Sequence, residues 1–207
     1  MKKTLLIMTV ILIFTFAQGS ANSFGSGFGS FATANTNGDG VSKILGGVGL
    51  ADANTVFGIL SYGLSDHTDG RIKFGIIDDN ADNTEIMFGA DFIYNLISTE
   101  ELNNGPFDMG LGGFFEYYDF NNASIWQFGG QFIGSYPLIL SNESRFVPYG
   151  RVNVRVESLN SDVVDDSNIE VGFNAGVEWE ATKDINLFGE FQFDGNDGLY
   201  LGIQFRM

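Results

Sequence analysis

From about Val41 to its last residue the chain alternates apolar residues with polar or small ones, in about ten runs. The runs are Val41–Leu50, Asn54–Leu64, Arg71–Ile77, Thr84–Ile97, Phe107–Phe120, Ser124–Leu138, Phe146–Leu159, Asn168–Ala181, Ile185–Asp194 and Gly198–Arg206. A period of two is the mark of a strand with two unlike faces. Clusters of Asp, Asn, Ser and Gly separate the runs, among them Ser65–Gly70, Asp78–Asn83, Asn103–Pro106 and Gly195–Asp197. These are turn formers. Breaks this short join antiparallel neighbours, because parallel pairing needs long crossovers. The final run, Gly198–Arg206, ends at the chain terminus, where an unpaired edge is a liability. Pairing it with the first run removes the edge. The expected fold is therefore all-β: a closed antiparallel up-and-down barrel of about ten strands, with roughly eight to twelve compatible with the pattern.

Such a barrel can turn its apolar face in, as soluble ligand-binding barrels do, or out, as membrane barrels do. Three observations favour the second. Opposite Val152, Val154 and Val156 lie Arg151, Asn153, Arg155 and Glu157, and opposite Val171, Phe173 and Val177 lie Glu170, Gly172 and Glu178. Glu190 and Gln192 oppose Leu187, Phe191 and Phe193, and Arg71 and Lys73 flank Ile72. Glycine and mixed charge suit a narrow lumen, where enclosed charges must be paired. Arg151, Arg155 and Arg206 against Glu157, Glu170, Glu178 and Glu190 are the expected structural network. Second, Tyr62, Tyr94, Tyr136, Trp179 and Phe205 share one phase and one depth on alternate strands, as an interfacial aromatic girdle would. Trp126 and Tyr117 would stand in the opposite girdle. Third, an even count puts both barrel ends on the side where the chain enters.

The start of the chain fits export. Met1-Lys2-Lys3 precedes an apolar Thr4–Phe16 and the small residues Ala17, Gly19 and Ala21, the form of a cleaved signal peptide over residues 1–21. The apolar run is too short for a spanning helix. With no Cys, disulfides contribute nothing to stability. The ten basic residues lose two with the signal, leaving eight against 26 acids, so nucleic acid is excluded as a partner. Residues 22–40 are Gly/Ser-rich with spaced Phe, and read either as a flexible leader or as a weak extra strand. Residues 41–207 form the barrel domain.

In this pattern, and in Leu199, Leu201, Ile203 and Phe205 near its end, the chain resembles the small outer-membrane β-barrel proteins of didermic bacteria. Many members end on Phe, whereas here Arg206 and Met207 follow Phe205. The resemblance implies residence in the outer membrane in contact with its lipid, and insertion by the barrel-assembly machinery with periplasmic chaperones in transit. A monomer is expected.

Catalysis is not expected. The only histidine, His67, lies in a turn beside Ser65, Asp66 and Asp69, all ordinary turn formers. The acids Asp78, Asp79 and Asp82, or Asp162, Asp165 and Asp166, could offer oxygens to calcium but read better as solvated turns, and Asn37-Gly-Asp-Gly40 and Asp194-Gly-Asn-Asp197 lack calcium-loop spacing and a closing Glu. No catalytic residue, metal site or cofactor is assigned. The expected role is structural or surface-interacting, through acidic outer turns. A narrow porin-like channel for small or apolar solutes is the alternative, and a soluble exported ligand-binding barrel the third reading.

Overall fold

The computed structural model describes residues 24–78, 84–99, 107–120, 123–141, 143–161 and 165–207. The signal segment, Ser98–Pro106 beyond Thr99, the Asn121-Asn122 turn, Asp79, Asp82 and Asp162 lie outside the described residues.

Ten long strands make the wall: β1 (Ser42–Ala51), β2 (Asn54–Ser65), β3 (Thr68–Asp78), β4 (Thr84–Ile97), β5 (Asp108–Phe120), β6 (Ala123–Ser135), β8 (Arg145–Ser161), β9 (Asp165–Thr182), β10 (Ile185–Phe193) and β11 (Gly198–Arg206). A two-residue β7 (Leu138–Ile139) follows β6 after Tyr136-Pro137 and pairs with the start of β8. Every long strand pairs antiparallel with its neighbours in sequence. The ring closes where β1 meets β11, with Ile44 opposite Phe205 and Gly47 opposite Gly202. This is a closed ten-strand meander. Turn chemistry sets most boundaries as the sequence predicts. The β2–β3 turn is tighter than Ser65–Gly70, because Asp69 and Gly70 already pair with Gly63 and Tyr62.

Ser42 and Arg206 lie at one end of the barrel, here called the base, with the β2–β3, β6–β8 and β9–β10 connections. The β1–β2 and β10–β11 turns lie at the opposite end, the top. The apolar phase faces outward along the whole height: Ile169 is 75% exposed, Phe74 65%, Ile72 61% and Phe191 55%. The charged phase faces inward, where Arg155 is 1% exposed and Glu190 fully buried.

About eight strands give a barrel that side chains can just fill. Ten leave a wider lumen, and two things occupy it. Inward-facing Phe57, Ile59, Met87, Tyr118, Phe188 and Tyr200 make an apolar cluster within the polar lining. At its centre lie Phe28 and Phe31, from residues 24–40. That segment, left open between leader and strand by its sequence, has no strand pairing and runs inside the barrel. It is termed the strap below.

Candidate functional site: the strapped lumen

The wall contributes one continuous ionic chain. Arg71 grips Asp91 with both edges of the fork, Nε to Oδ1 at 2.5 Å and Nη2 to Oδ2 at 2.7 Å. Lys73 Nζ bridges Asp91 (2.9 Å) and Glu116 (3.0 Å). Tyr118 donates its hydroxyl to Glu116 at 2.5 Å. Adjacent β3, β4 and β5 hold this chain, so strand register alone brings its members together.

Among the described residues eight acids are buried (Asp69, Asp91, Asp108, Glu116, Glu157, Glu170, Glu190, Asp194) against four bases (Arg71, Lys73, Arg151, Arg155). The buried charges therefore do not balance within the wall, and an uncompensated buried charge is costly. The strap, which carries no charged side chain from Phe24 to Gly38, supplies neutral donors instead. Phe24 N–H donates to Glu157 (2.7 Å). Ser26 donates its N–H to Asp194 (3.4 Å) and its hydroxyl to Glu116 (3.1 Å). Asn37 N–H reaches Asp69 at 2.9 Å.

The tightest hold is at Glu190. It accepts from Ser30 N–H (2.6 Å), Ser30 Oγ (2.9 Å) and Phe31 N–H (3.0 Å). Tyr149 Oη (2.7 Å) and Asn174 Nδ2 (2.8 Å) complete five donors. Successive N–H groups converge there because Gly29 (φ 65°) and Phe31 (φ 39°) turn left-handed, the concavity that cradles anions. A side chain at Gly29 would be strained by that φ and crowded by Glu190, Phe31 and Tyr200. The strap carbonyls are held too. Arg71 Nη1 donates to Ser30 O (2.9 Å) and Phe31 O (3.1 Å), and Gln192 Nε2 to Ser26 O (2.6 Å).

The seven lumen positions singled out by the sequence divide. Arg155 meets Glu157 (3.5 Å) and Asp194 (3.7 Å), and donates to the Asp194 carbonyl at 2.5 Å. Among the described residues Arg151 has no carboxylate within ion-pair distance; it donates to Asn174 (3.2 Å) and lies 4.9 Å over the Phe114 ring. Glu170 is buried on the inner face. Glu178 sits lower, accepting from Asn186 at 2.5 Å, and Arg206 is exposed at the base. Asp91, Glu116, Asp69 and Asp194 belong to the lumen as well. Their inward phase was readable, since Asp91 follows Met87 and Gly89 and Glu116 follows Phe114, each at a spacing of two. The apolar neighbours masked it.

Asp194, in the β10–β11 turn, has its carboxyl pushed up to about 7 by burial, against the pull of Arg155 and Arg151. At the base the lumen opens into a polar vestibule of about 220 Å³ among Asn37, Lys43, Arg145, Glu178, Lys183 and Arg206. A deeper recess of about 70 Å³ leads on towards Asp69 and Arg71.

Outside, Tyr62, Tyr94, Tyr136, Trp179 and Phe205 are all exposed near the base. The pairings Ser42–Tyr62, Thr68–Tyr94, Phe146–Trp179 and Ile185–Phe205 put four of them near the base ends of their strands, and Tyr136 directly follows the base end of β6. Tyr117 and Trp126 face each other towards the top, ring centroids 4.4 Å apart. A wall greasy outside, ionic inside and closed on itself has one suitable solvent. This is the architecture of a transmembrane β-barrel.

No protein-family model and no curated protein matches the chain. Solved structures do. The N-terminal β-barrel domain of Pseudomonas aeruginosa OprF is 14% identical, over 83% of this chain and 100% of that one, with a TM-score of 0.38. The KdgM porin is 9% identical over 79% and 98% (TM-score 0.42), and an outer membrane channel from Pseudomonas putida F1 12% over 86% and 99% (0.37).

His67 sits in the base turn, its ring 6.4 Å from that of Tyr94. Its own N–H donates to Ser65 Oγ at 3.3 Å, a turn contact, not an imidazole–hydroxyl pair. Among the described residues no three His, Cys, Asp or Glu side chains converge on a metal-sized site.

Proposed function

We propose that the protein is a narrow, porin-like conduit of the outer membrane for small polar solutes, held closed by its own N-terminal strap. One observation carries this reading: an ion-lined lumen, opening to a polar vestibule at the base, is filled by a segment that is not part of the wall. A barrel serving only as an anchor needs no such lining, since apolar side chains fill an interior at lower cost. The inner-facing charges make sense where water and solute pass once the filler moves. The surface role of the acidic turns rests on composition alone, and the conduit is the better supported reading.

The test is conductance in planar bilayers of the chain from Asn22 and of a form lacking residues 22–37. The strapped chain is expected to be silent or to open rarely, and the strapless one to show steady small openings. A strapless barrel that keeps its heat-dependent shift in gel mobility yet conducts nothing would refute the conduit. Recovery from the outer-membrane fraction only with detergent tests the location.

A further inference from the structure

The strap has a direction, and its contacts read it out in order. Phe24 lies at the top: its ring is 5.3 Å from that of Phe120, at the upper end of β5, and its N–H meets Glu157, near the upper end of β8. Gly25 passes so close to the β10–β11 turn that a Cβ there would collide with the Asn196 backbone. Ser26 reaches Asp194 in the same turn. Ser30 and Phe31 are at mid-height, between Glu190 and Arg71. Ala34 donates to Ser135, at the lower end of β6, and accepts from Asn95, near the lower end of β4. Thr36 and Asn37 reach Asp66 and Asp69 at the base. Gly38 and Gly40, both left-handed, then reverse the chain into β1, with Gly40 N–H on Gly63 O at 3.0 Å. Residues 24–37 can extend to about 45 Å at roughly 3.3 Å each, more than the apolar band of about 25 Å they traverse.

From this order we infer that the strap threads the whole lumen and presents the N-terminal end of the mature chain at the top mouth, opposite the barrel's own ends. The inference rests on the proposed function's reading of the chain as an outer-membrane barrel, and adds the orientation that an even strand count implies, base towards the periplasm. The upper end of the strap, at Phe24, is then turned towards the cell surface, where the ten strands alone would place no chain end.

The chain has no cysteine, so single thiols report location cleanly. The full precursor would be produced with Ser23→Cys, with Asn54→Cys as the top marker and with Lys183→Cys as the base marker. Each would be exposed to a membrane-impermeant maleimide on intact and on permeabilised cells, and scored only in the heat-shifting folded band. Expected is labelling of S23C and N54C on intact cells at least about tenfold above K183C, which reacts only after permeabilisation. S23C that follows K183C while N54C labels on intact cells overturns the inference. If K183C labels outside and N54C does not, the membrane orientation is wrong. S23C tracking N54C would then still support threading, and S23C tracking K183C would end it. Should S23C fail to fold or stay unreactive in both states, Asn22→Cys replaces it under the same criteria, and silence there as well overturns the inference.

Discussion

Asp91 and Glu190 are both carboxylates sealed in the same lumen, and they are satisfied in opposite ways. Asp91 has two cations, Arg71 in a fork and Lys73 at 2.9 Å, all from the wall. Glu190 has no cation within ion-pair distance among the described residues, and relies on five neutral donors, three of them from Ser30 and Phe31. The wall alone completes the first site. The second is complete only when the strap is home. Strap and wall thus share the task of making an acid-rich interior tolerable. Arg71 links the two sites, because the guanidinium that clamps Asp91 also holds the Ser30 and Phe31 carbonyls.

The comparison can be broken by mutation. Asp91→Asn leaves Arg71 and Lys73 facing a neutral group, with only Glu116 to balance Lys73. Stranding buried charges typically costs about 3–5 kcal/mol, so the urea midpoint of the compact, heat-shifting form should fall most here. Glu190→Gln removes a charge that no cation contacts directly, though Arg71 and Arg151 feel its field, and retains one acceptor. The loss should be smaller, about 1–3 kcal/mol, and concentrated on the strap: amide exchange at Ser30 and Phe31 should quicken while the β3–β4 amides stay protected. Equal losses for the two variants, or exchange rising evenly through the wall, would mean that the distinction has no energetic content. Tyr149→Phe deletes one of the five donors and sharpens the scale, at about 0.5–1.5 kcal/mol.

The wall was legible because each strand repeats its rule every second residue: Val152, Val154 and Val156 against Arg151, Asn153 and Arg155 announces two faces without any distant information. The strap was not. Its contacts are long-range, Phe24 meeting Glu157 and Ser26 meeting Asp194, and it obeys no period because it pairs with nothing. Gly-Ser-Gly-Phe-Gly-Ser-Phe has the composition of a linker, and only the volume of a ten-strand lumen turns it into a filler. The inward aromatics were hidden for a related reason. Phe57 and Phe188 sit on the face that alternation assigns to polar groups, and they are tolerated there because Phe28 and Phe31 meet them. The excess of inward acids over bases was the one available sign that something neutral had to supply donors.

The last prediction concerns pH, and it tests whether the top of the strap behaves as the middle does. Asp194 holds Ser26 N–H and faces Arg155, yet burial dominates and its carboxyl titrates near 7 in place of the usual 3.8. A raised carboxyl pKa means that the folded barrel binds this proton more tightly than the unfolded chain does. Its contribution to stability is then complete below about 4 and fades as the pH climbs through about 7. The urea midpoint should accordingly drop between pH 5 and pH 8, and Asp194→Asn, which cannot titrate, should flatten that drop. Ser26 N–H donates to this carboxyl and favours its ionised form, while burial opposes it, so the loss should come from desolvation of the charge and exchange at Ser26 should not outrun that at Ser30 as the pH rises. A midpoint that rises from pH 5 to pH 8 in the parent chain and not in the Asn variant would reverse the sign, and would make Asp194 a carboxylate stabilised by Arg155 in the way that Arg71 stabilises Asp91.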